Sequence, residues 1–207
     1  MHKEFWQQRW QEQRIGFHLN EINPTLINFK LKPTDKILVP LCGKSLDLLY
    51  LAKQVTKVSG VEIIPKAVNE FFLENNLSPT ISKDGKFKKF SNNNIEILLG
   101  DFFELEQQQV QDYSLIYDRA ALVALPFEMR LQYSQIIKSF NIANILLVSL
   151  DYPQAEKAGP PFAVTKKEIH ALYEDKYSIK LLRQTALDEN KNLSFFNESI
   201  YLLTICS

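Results

Sequence analysis

The chain has 207 residues, 45% of them hydrophobic and 23% charged, with 24 basic and 24 acidic side chains that cancel to a formal net charge of zero. That length suits one domain with a substantial core, and the charge balance excludes a nucleic-acid binder that relies on a broad basic surface. The two cysteines, Cys42 and Cys206, give no disulfide framework, and no Cys/His grouping has zinc spacing.

From the amino end, Phe5, Trp6, Arg9, Trp10 and Gln13 fall at helical intervals, so residues 3–14 read as a helix with an aromatic stripe and Gly16 as its stop. Asn23-Pro24 opens a second short helix towards Phe29. Lys36–Leu41 is an apolar strand, followed by Gly43 and a helix over Ser45–Gln54 with Ser45 as its N-cap. Lys57–Glu62 is the next strand and ends on a carboxylate. Strand, glycine turn, helix, then strand-end acid is the order of parts in a βαβ nucleotide site. Glu62 lies 19 residues beyond Gly43, close to the roughly 20 expected between turn and acid. A dinucleotide fingerprint would need three glycines where this turn has one, so the pattern points to a nucleoside ligand without a pyrophosphate.

A helix over Pro65–Asn76 follows, closing at Asn75-Asn76, and Asp84-Gly85 signals a small β-hairpin between Ile81 and Phe87–Phe90. The Lys86–Lys89 cluster reads as part of that solvated hairpin. Ile95–Leu99 and Tyr113–Tyr117 are two further core strands, ending at Gly100-Asp101 and at Asp118-Arg119. Residues 126–139 are helical, Ile142–Leu150 is a buried strand, and Asp151–Thr165, with Gly159-Pro160-Pro161, is a loop. Lys166–Asp175 is a helix. Ser178–Leu187 and Glu198–Ile205 close the chain as an antiparallel pair. The resulting fold class is α/β: a doubly wound, mostly parallel seven-stranded sheet with an antiparallel C-terminal pair and an N-terminal helical lid over residues 1–30. Ligands in such sheets sit beyond the carboxyl ends of the strands, where Gly43, Glu62, Asp101 and Arg119 are expected to meet. His2 and His170 read as surface residues.

No apolar run approaches the roughly 18 residues of a membrane span, and Met1-His-Lys-Glu-Phe-Trp6 lacks the apolar core of a signal peptide. A cytoplasmic monomer, with no membrane or nucleic-acid partner, is the expectation.

Several blocks together carry a family likeness: Phe5-Trp-Gln-Gln-Arg-Trp10, Ile15-Gly-Phe-His18, Val39-Pro-Leu-Cys-Gly-Lys-Ser45, Gly60-Val-Glu62, Gly100-Asp-Phe-Phe103, Tyr117-Asp-Arg-Ala-Ala-Leu122, Ala158-Gly-Pro-Pro-Phe162 and Tyr201-Leu-Leu203. In this order the chain resembles the bacterial thiopurine S-methyltransferases, class I S-adenosylmethionine-dependent enzymes of the Rossmann-like methyltransferase fold. The resemblance implies S-adenosyl-L-methionine as cofactor, S-adenosyl-L-homocysteine as product, and a small thiol or selenol as substrate. It places cofactor contacts on Trp10, Leu41, Glu62 and Arg119, with Asp101 and Phe102 beside the adenine. It places Phe17 and Arg119 towards the acceptor. The likeness breaks at Asp188-Glu-Asn-Lys-Asn192, where relatives tend to carry arginines and this chain offers Lys191.

Read on their own, several of these residues have plainer roles: Trp10 packing its helix, Asp101 capping a helix, Arg119 pairing with Asp118 or Glu62. Cys42 reads as small buried packing, since no base partner is evident. No acid or base is nominated and no metal is expected. A methyltransferase for selenium or tellurium compounds, or for another small soft nucleophile, would use the same site; a nicotinamide-dependent reductase is opposed by the missing glycines.

Overall fold

The computed structural model describes residues 3–187 and 193–206. His2, Lys191 and the Asp188–Asn192 departure lie outside the described residues. The chain divides into two compact units, one ending at Ser114 and the other beginning at Leu115.

The first unit holds helices α1 (Lys3–Gln11), α2 (Pro24–Ile27), α3 (Asp47–Ala52), α4 (Pro65–Glu74) and α5 (Gln107–Val110). Its strands are β1 (Lys36–Val39), β2 (Lys57–Glu62), β3 (Thr80–Asp84), β4 (Phe87–Asn92) and β5 (Ile95–Leu99), in the order β3-β4-β5-β2-β1. β1, β2 and β5 run parallel, while the β3–β4 hairpin joins β5 antiparallel. In β1 the run Ile37-Leu38-Val39 is buried throughout, and so is β2 from Val58 to Glu62. Continuous apolar strands of this kind are what a parallel sheet covered on both faces demands.

The second unit holds β6 (Leu115–Arg119), α6 (Phe127–Ser139), β7 (Asn144–Asp151), α7 (Lys166–Tyr173), β8 (Tyr177–Ala186) and β9 (Asn197–Ile205), with strand order β6-β7-β9-β8. β6 and β7 are parallel; β9 runs antiparallel to both β7 and β8. β8 is exposed along most of its length, and its pairing with β9 slips between Leu181 and Arg183.

The nine strands among the described residues give the expected mixed α/β class with an antiparallel C-terminal pair. The two beyond the expected seven are the hairpin strands, which extend the first unit's sheet instead of standing apart from it. α4 shows how sequence sets an element here. Ala67, Val68, Phe71 and Phe72 fall on one face and are buried, each phenylalanine contributing roughly 1.5–3 kcal/mol. Pro65 supplies the first turn, and Asn76, at φ +55°, ends the helix with Leu77 N donating to Phe72 O at 2.9 Å.

Several boundaries move, among them the strand expected over Tyr113–Tyr117, which runs over Leu115–Arg119 and so includes Asp118 and Arg119; three shifts have a visible local cause. α1 ends at Gln11, because Gln13 (φ +56°) takes the left-handed position and Arg14 N donates to Arg9 O at 2.9 Å; Gly16 is not the stop. β1 ends at Val39, because Leu41 already turns at φ +48°. Ser45 is not the cap of α3, whose N-cap is Leu46; its hydroxyl accepts from Asp47 N at 3.2 Å in the turn before the helix.

Candidate functional site

The first unit brings the carboxyl ends of β1, β2 and β5 together around Glu62. The backbone after β1 curls through Leu41 and Gly43, the latter at φ +56°, and Cys42 N donates to Val61 O at 3.0 Å. That fold-back sets the turn so close to β2 that a Cβ on Gly60 would stand 2.5 Å from Cys42 Sγ. Gly60 is therefore required by proximity.

The tight turn delivers a donor to the acid. Gly43 N donates to Glu62 Oε2 at 2.8 Å, and Ile64 N donates to Glu62 Oε1 at 2.7 Å. A carboxylate meets both donors; an amide would set its own N–H against one of them. Glu62 is only 6% exposed. Burial pushes its pKa up to about 7, against the pull of hydrogen bonds from the Ile64, Gly43 and Ile63 backbone. Each oxygen still has a lone pair to offer a hydroxyl.

Next to the strand end that carries Glu62 is a cavity of about 460 Å³ lined by Ile63, Pro65, Leu99, Gly100, Asp101, Lys3 and Glu104, with Glu62 itself not among the lining residues. Ile63, Pro65 and Leu99 give it an apolar side that suits a flat ring, while Lys3, Asp101 and Glu104 bring charge to the lining. Asp101 Oδ1 also accepts from Phe103 N at 3.0 Å, capping the 3-10 turn Phe102–Glu104, so the capping role coexists with a place on the cavity wall. Phe102, the first residue of this turn, is 1% exposed and is not among the lining residues.

Trp10, 2% exposed, packs with Ile64 and Ala67, and Trp6, Ile15, Phe17 and Ile63 pack around them. A Cβ on Gly43 would stand 3.4 Å from the Trp10 ring. Phe17 meets Trp6 and Trp10 edge to face, with centroids at 5.6 and 6.0 Å. Cys42 is buried, and burial followed by the Glu62 charge raises its pKa well above the usual thiol value, so it rests as a neutral thiol.

In the second unit Arg119 ends β6, and Ala120 turns at φ +62° immediately after it. Asp118 points inward: Oδ1 accepts from Leu122 N at 3.1 Å and Oδ2 from Tyr133 Oη at 2.7 Å. Burial raises its pKa to about 6, opposed by the Leu122, Tyr133 and Ala121 bonds. The loop between β7 and α7 is pinned nearby. Phe162 N donates to Val123 O at 2.6 Å, Arg130 Nη1 to Ala163 O at 3.0 Å, and Tyr152 Oη to Pro161 O. Arg130 Nε also lies 2.9 Å from Glu168 Oε1, an ion pair too bent to count as a hydrogen bond. His170 pairs with Glu174 on the surface at 3.1 Å. No metal-binding cluster occurs among the described residues, and no helix there is long and apolar enough to cross a membrane.

Sequence reasoning missed the residues that tie the elements of the first unit together around its glycine turn. Lys44, 9% exposed, donates to Glu70 Oε2 at 2.9 Å and Glu74 Oε1 at 2.7 Å. Burial opposes its charge, but the two glutamates outweigh that and its pKa rises. Lys66 Nζ donates to Trp10 O at 2.9 Å. The acidic spacing Glu70–Glu74 on α4 was the available signal.

The fold matches that of S-adenosylmethionine-dependent methyltransferases. One from Methanosarcina mazei superposes with a TM-score of 0.66 at 17% identity, covering 90% of this chain and all of that one. The N-methyltransferase NodS of Bradyrhizobium japonicum, solved with S-adenosyl-L-homocysteine, gives 0.60 at 9% identity, covering 84% of this chain and 79% of that one. The family model described as Thiopurine S-methyltransferase matches residues 1–205. A Thiopurine S-methyltransferase of Pseudomonas aeruginosa is 44% identical over 98% of this chain and 99% of its own length. That of Nitrosospira multiformis is 42% identical over 98% of each chain. The chain belongs to the thiopurine S-methyltransferase family and is an S-adenosylmethionine-dependent methyltransferase. The residues present are of a kind that fits a nucleoside: a cavity with Ile63, Pro65 and Leu99 on its wall and Asp101 as an acceptor, and a carboxylate, Glu62, held by two backbone donors.

Proposed function

We propose that this enzyme methylates the sulfur of thiopurines or other small aromatic thiols, as a cytoplasmic monomer formed by a single methyltransferase domain. The observation that carries the donor half is Glu62, held by two backbone N–H groups beside the Ile63–Leu99–Asp101 cavity. The thiol half is supported by relatives of nearly the same length that bear the thiopurine name.

When bound, S-adenosylmethionine supplies an activated methyl on a sulfonium, so no enzyme nucleophile is needed. Glu62 accepts from the ribose hydroxyls, Asp101 from the adenine amino group, and the Leu41 carbonyl from the ammonium. Phe102, buried next to Asp101, supports the adenine site from within the protein. Trp10 and the residues up to His18 exclude water from the reacting pair. Arg119 offers a planar fork to the cofactor's carboxylate and to an anionic acceptor. Phe17 lines the acceptor side. Thiols of this class are acidic enough to be partly ionised near neutrality, so positioning and desolvation suffice without a general base.

Transfer of radiolabelled methyl to 6-mercaptopurine, followed with a panel of thiols, selenols and tellurium compounds, tests this directly. Saturable transfer to an aromatic thiol is expected. Binding of S-adenosylhomocysteine with no transfer to any thiol would overturn the acceptor assignment, and a preference for the selenium or tellurium members would move it to that class.

A further inference from the structure

We infer that Lys66, Glu70 and Lys44 form a latch that fastens the N-terminal helix to the glycine turn, which makes Lys66 and Glu70 positioning residues for the donor. The inference rests on the donor-site reading above.

The contacts close a ring. Lys66 Nζ donates to the carbonyl of Trp10 at 2.9 Å and stands 3.7 Å from Glu70 Oε1. The other oxygen of Glu70 accepts from Lys44 Nζ at 2.9 Å. Lys44 follows Gly43, and the Trp10 ring lies against Gly43. One helix, α4, thus presents two side chains a turn apart, one gripping the helix and the other gripping the turn.

α1 needs such a grip. Its nine residues fall short of the roughly 12–15 at which an isolated helix becomes even marginally stable in water. Trp10 is its one buried residue. The Trp10 carbonyl sits at the C-terminal end of α1, where its backbone donor, Gln13 N, is distant at 3.4 Å and the partial negative charge of the helix end favours a cation. Lys66 meets that end while remaining 39% exposed, so water competes for it and the latch can release. Lys44 is buried and fixed to Glu74 as well, which makes it the anchored side of the device.

Both tryptophans of the chain, Trp6 and Trp10, lie in α1, so tryptophan emission reports on this helix alone. In Lys66→Met, acrylamide quenching of that emission is expected to rise while the melting temperature stays near the parent's. S-adenosylhomocysteine affinity by titration calorimetry should fall about tenfold, the order of one charge-assisted hydrogen bond. Lys66→Arg should recover both, and Glu70→Gln should show the same two changes in weaker form. Parent-like quenching or parent-like affinity in Lys66→Met would overturn the latch. A parent protein that took up no S-adenosylhomocysteine would instead overturn the donor-site reading on which the latch depends.

Discussion

Two strand-end carboxylates, one in each compact unit, look alike in sequence and do opposite work. Glu62 closes β2 and Asp118 sits one residue before the end of β6; both are buried, and both have pKa values raised by that burial. Glu62 is held by main-chain donors from the turn and from the start of α4, which leaves it beside an open cavity. Asp118 is held by one main-chain donor and by the Tyr133 hydroxyl, and it is 1% exposed. A carboxylate fixed by local backbone can still serve a ligand. One that a side chain from a distant helix has captured fixes the turn that carries its neighbour, Arg119.

Crossed substitutions test that contrast. Asp118→Ala should have the largest effect, since it strands two buried partners at roughly 1–3 kcal/mol each, a total of about 3 kcal/mol. Calorimetry should then show a melting temperature lower by about 6–12 °C, with donor affinity per folded molecule falling less than in Glu62→Gln. Glu62→Gln should behave in the reverse sense: donor affinity falls roughly 100-fold, the order of two lost hydrogen bonds to a charged acceptor, with a smaller thermal effect. If instead Glu62→Gln unfolds the chain and Asp118→Ala abolishes binding, the two roles have been exchanged. Tyr133→Phe removes a single tie and should cost about 2 kcal/mol, read as a melting shift of roughly 4–8 °C.

pH separates the two carboxylates more gently. Because Glu62 titrates at about 7 and donor binding needs it ionised, donor affinity should drop about tenfold from about pH 8 to about pH 6. Folding should respond with the opposite sign. Both groups bind protons more tightly folded than unfolded, so their stabilising contribution is complete below the ordinary carboxylate range. It is lost as pH rises through about 6 for Asp118 and about 7 for Glu62. Thermal scans and titrations across that interval should therefore slope in opposite directions; parallel slopes would remove Glu62 from the donor site.

The difference between the carboxylates was only half visible in the chain. Glu62 was legible because its partners are near: Gly43 and Ile64 belong to the same βαβ segment, and strand-end acid and turn spacing is a local pattern. Asp118 was not, because its deciding partner, Tyr133, comes from α6, 15 residues away and on a different element. The Lys66–Glu70 spacing was equally plain, yet its target is a carbonyl 56 residues distant, which no periodicity reveals. The Asp84-Gly85 hairpin was readable as a turn. That β4 would then join β5 was not, since strand pairing is settled by tertiary packing. Ser45 failed as a cap for a related reason: the turn that Cys42 and Gly60 compress delays the helix to Asp47.

The slipped pairing of β8 has a consequence for handling the protein at high concentration. A ten-residue strand bonded, among the described residues, on one side only would ordinarily offer a template to another chain. The bulge between Leu181 and Arg183 breaks the regular spacing of its free amide and carbonyl groups, and Lys180 and Arg183 put cationic charge on either side of the exposed leucines. A second molecule brought edge to edge would meet an uneven ladder and like charge, a poor template for continued pairing.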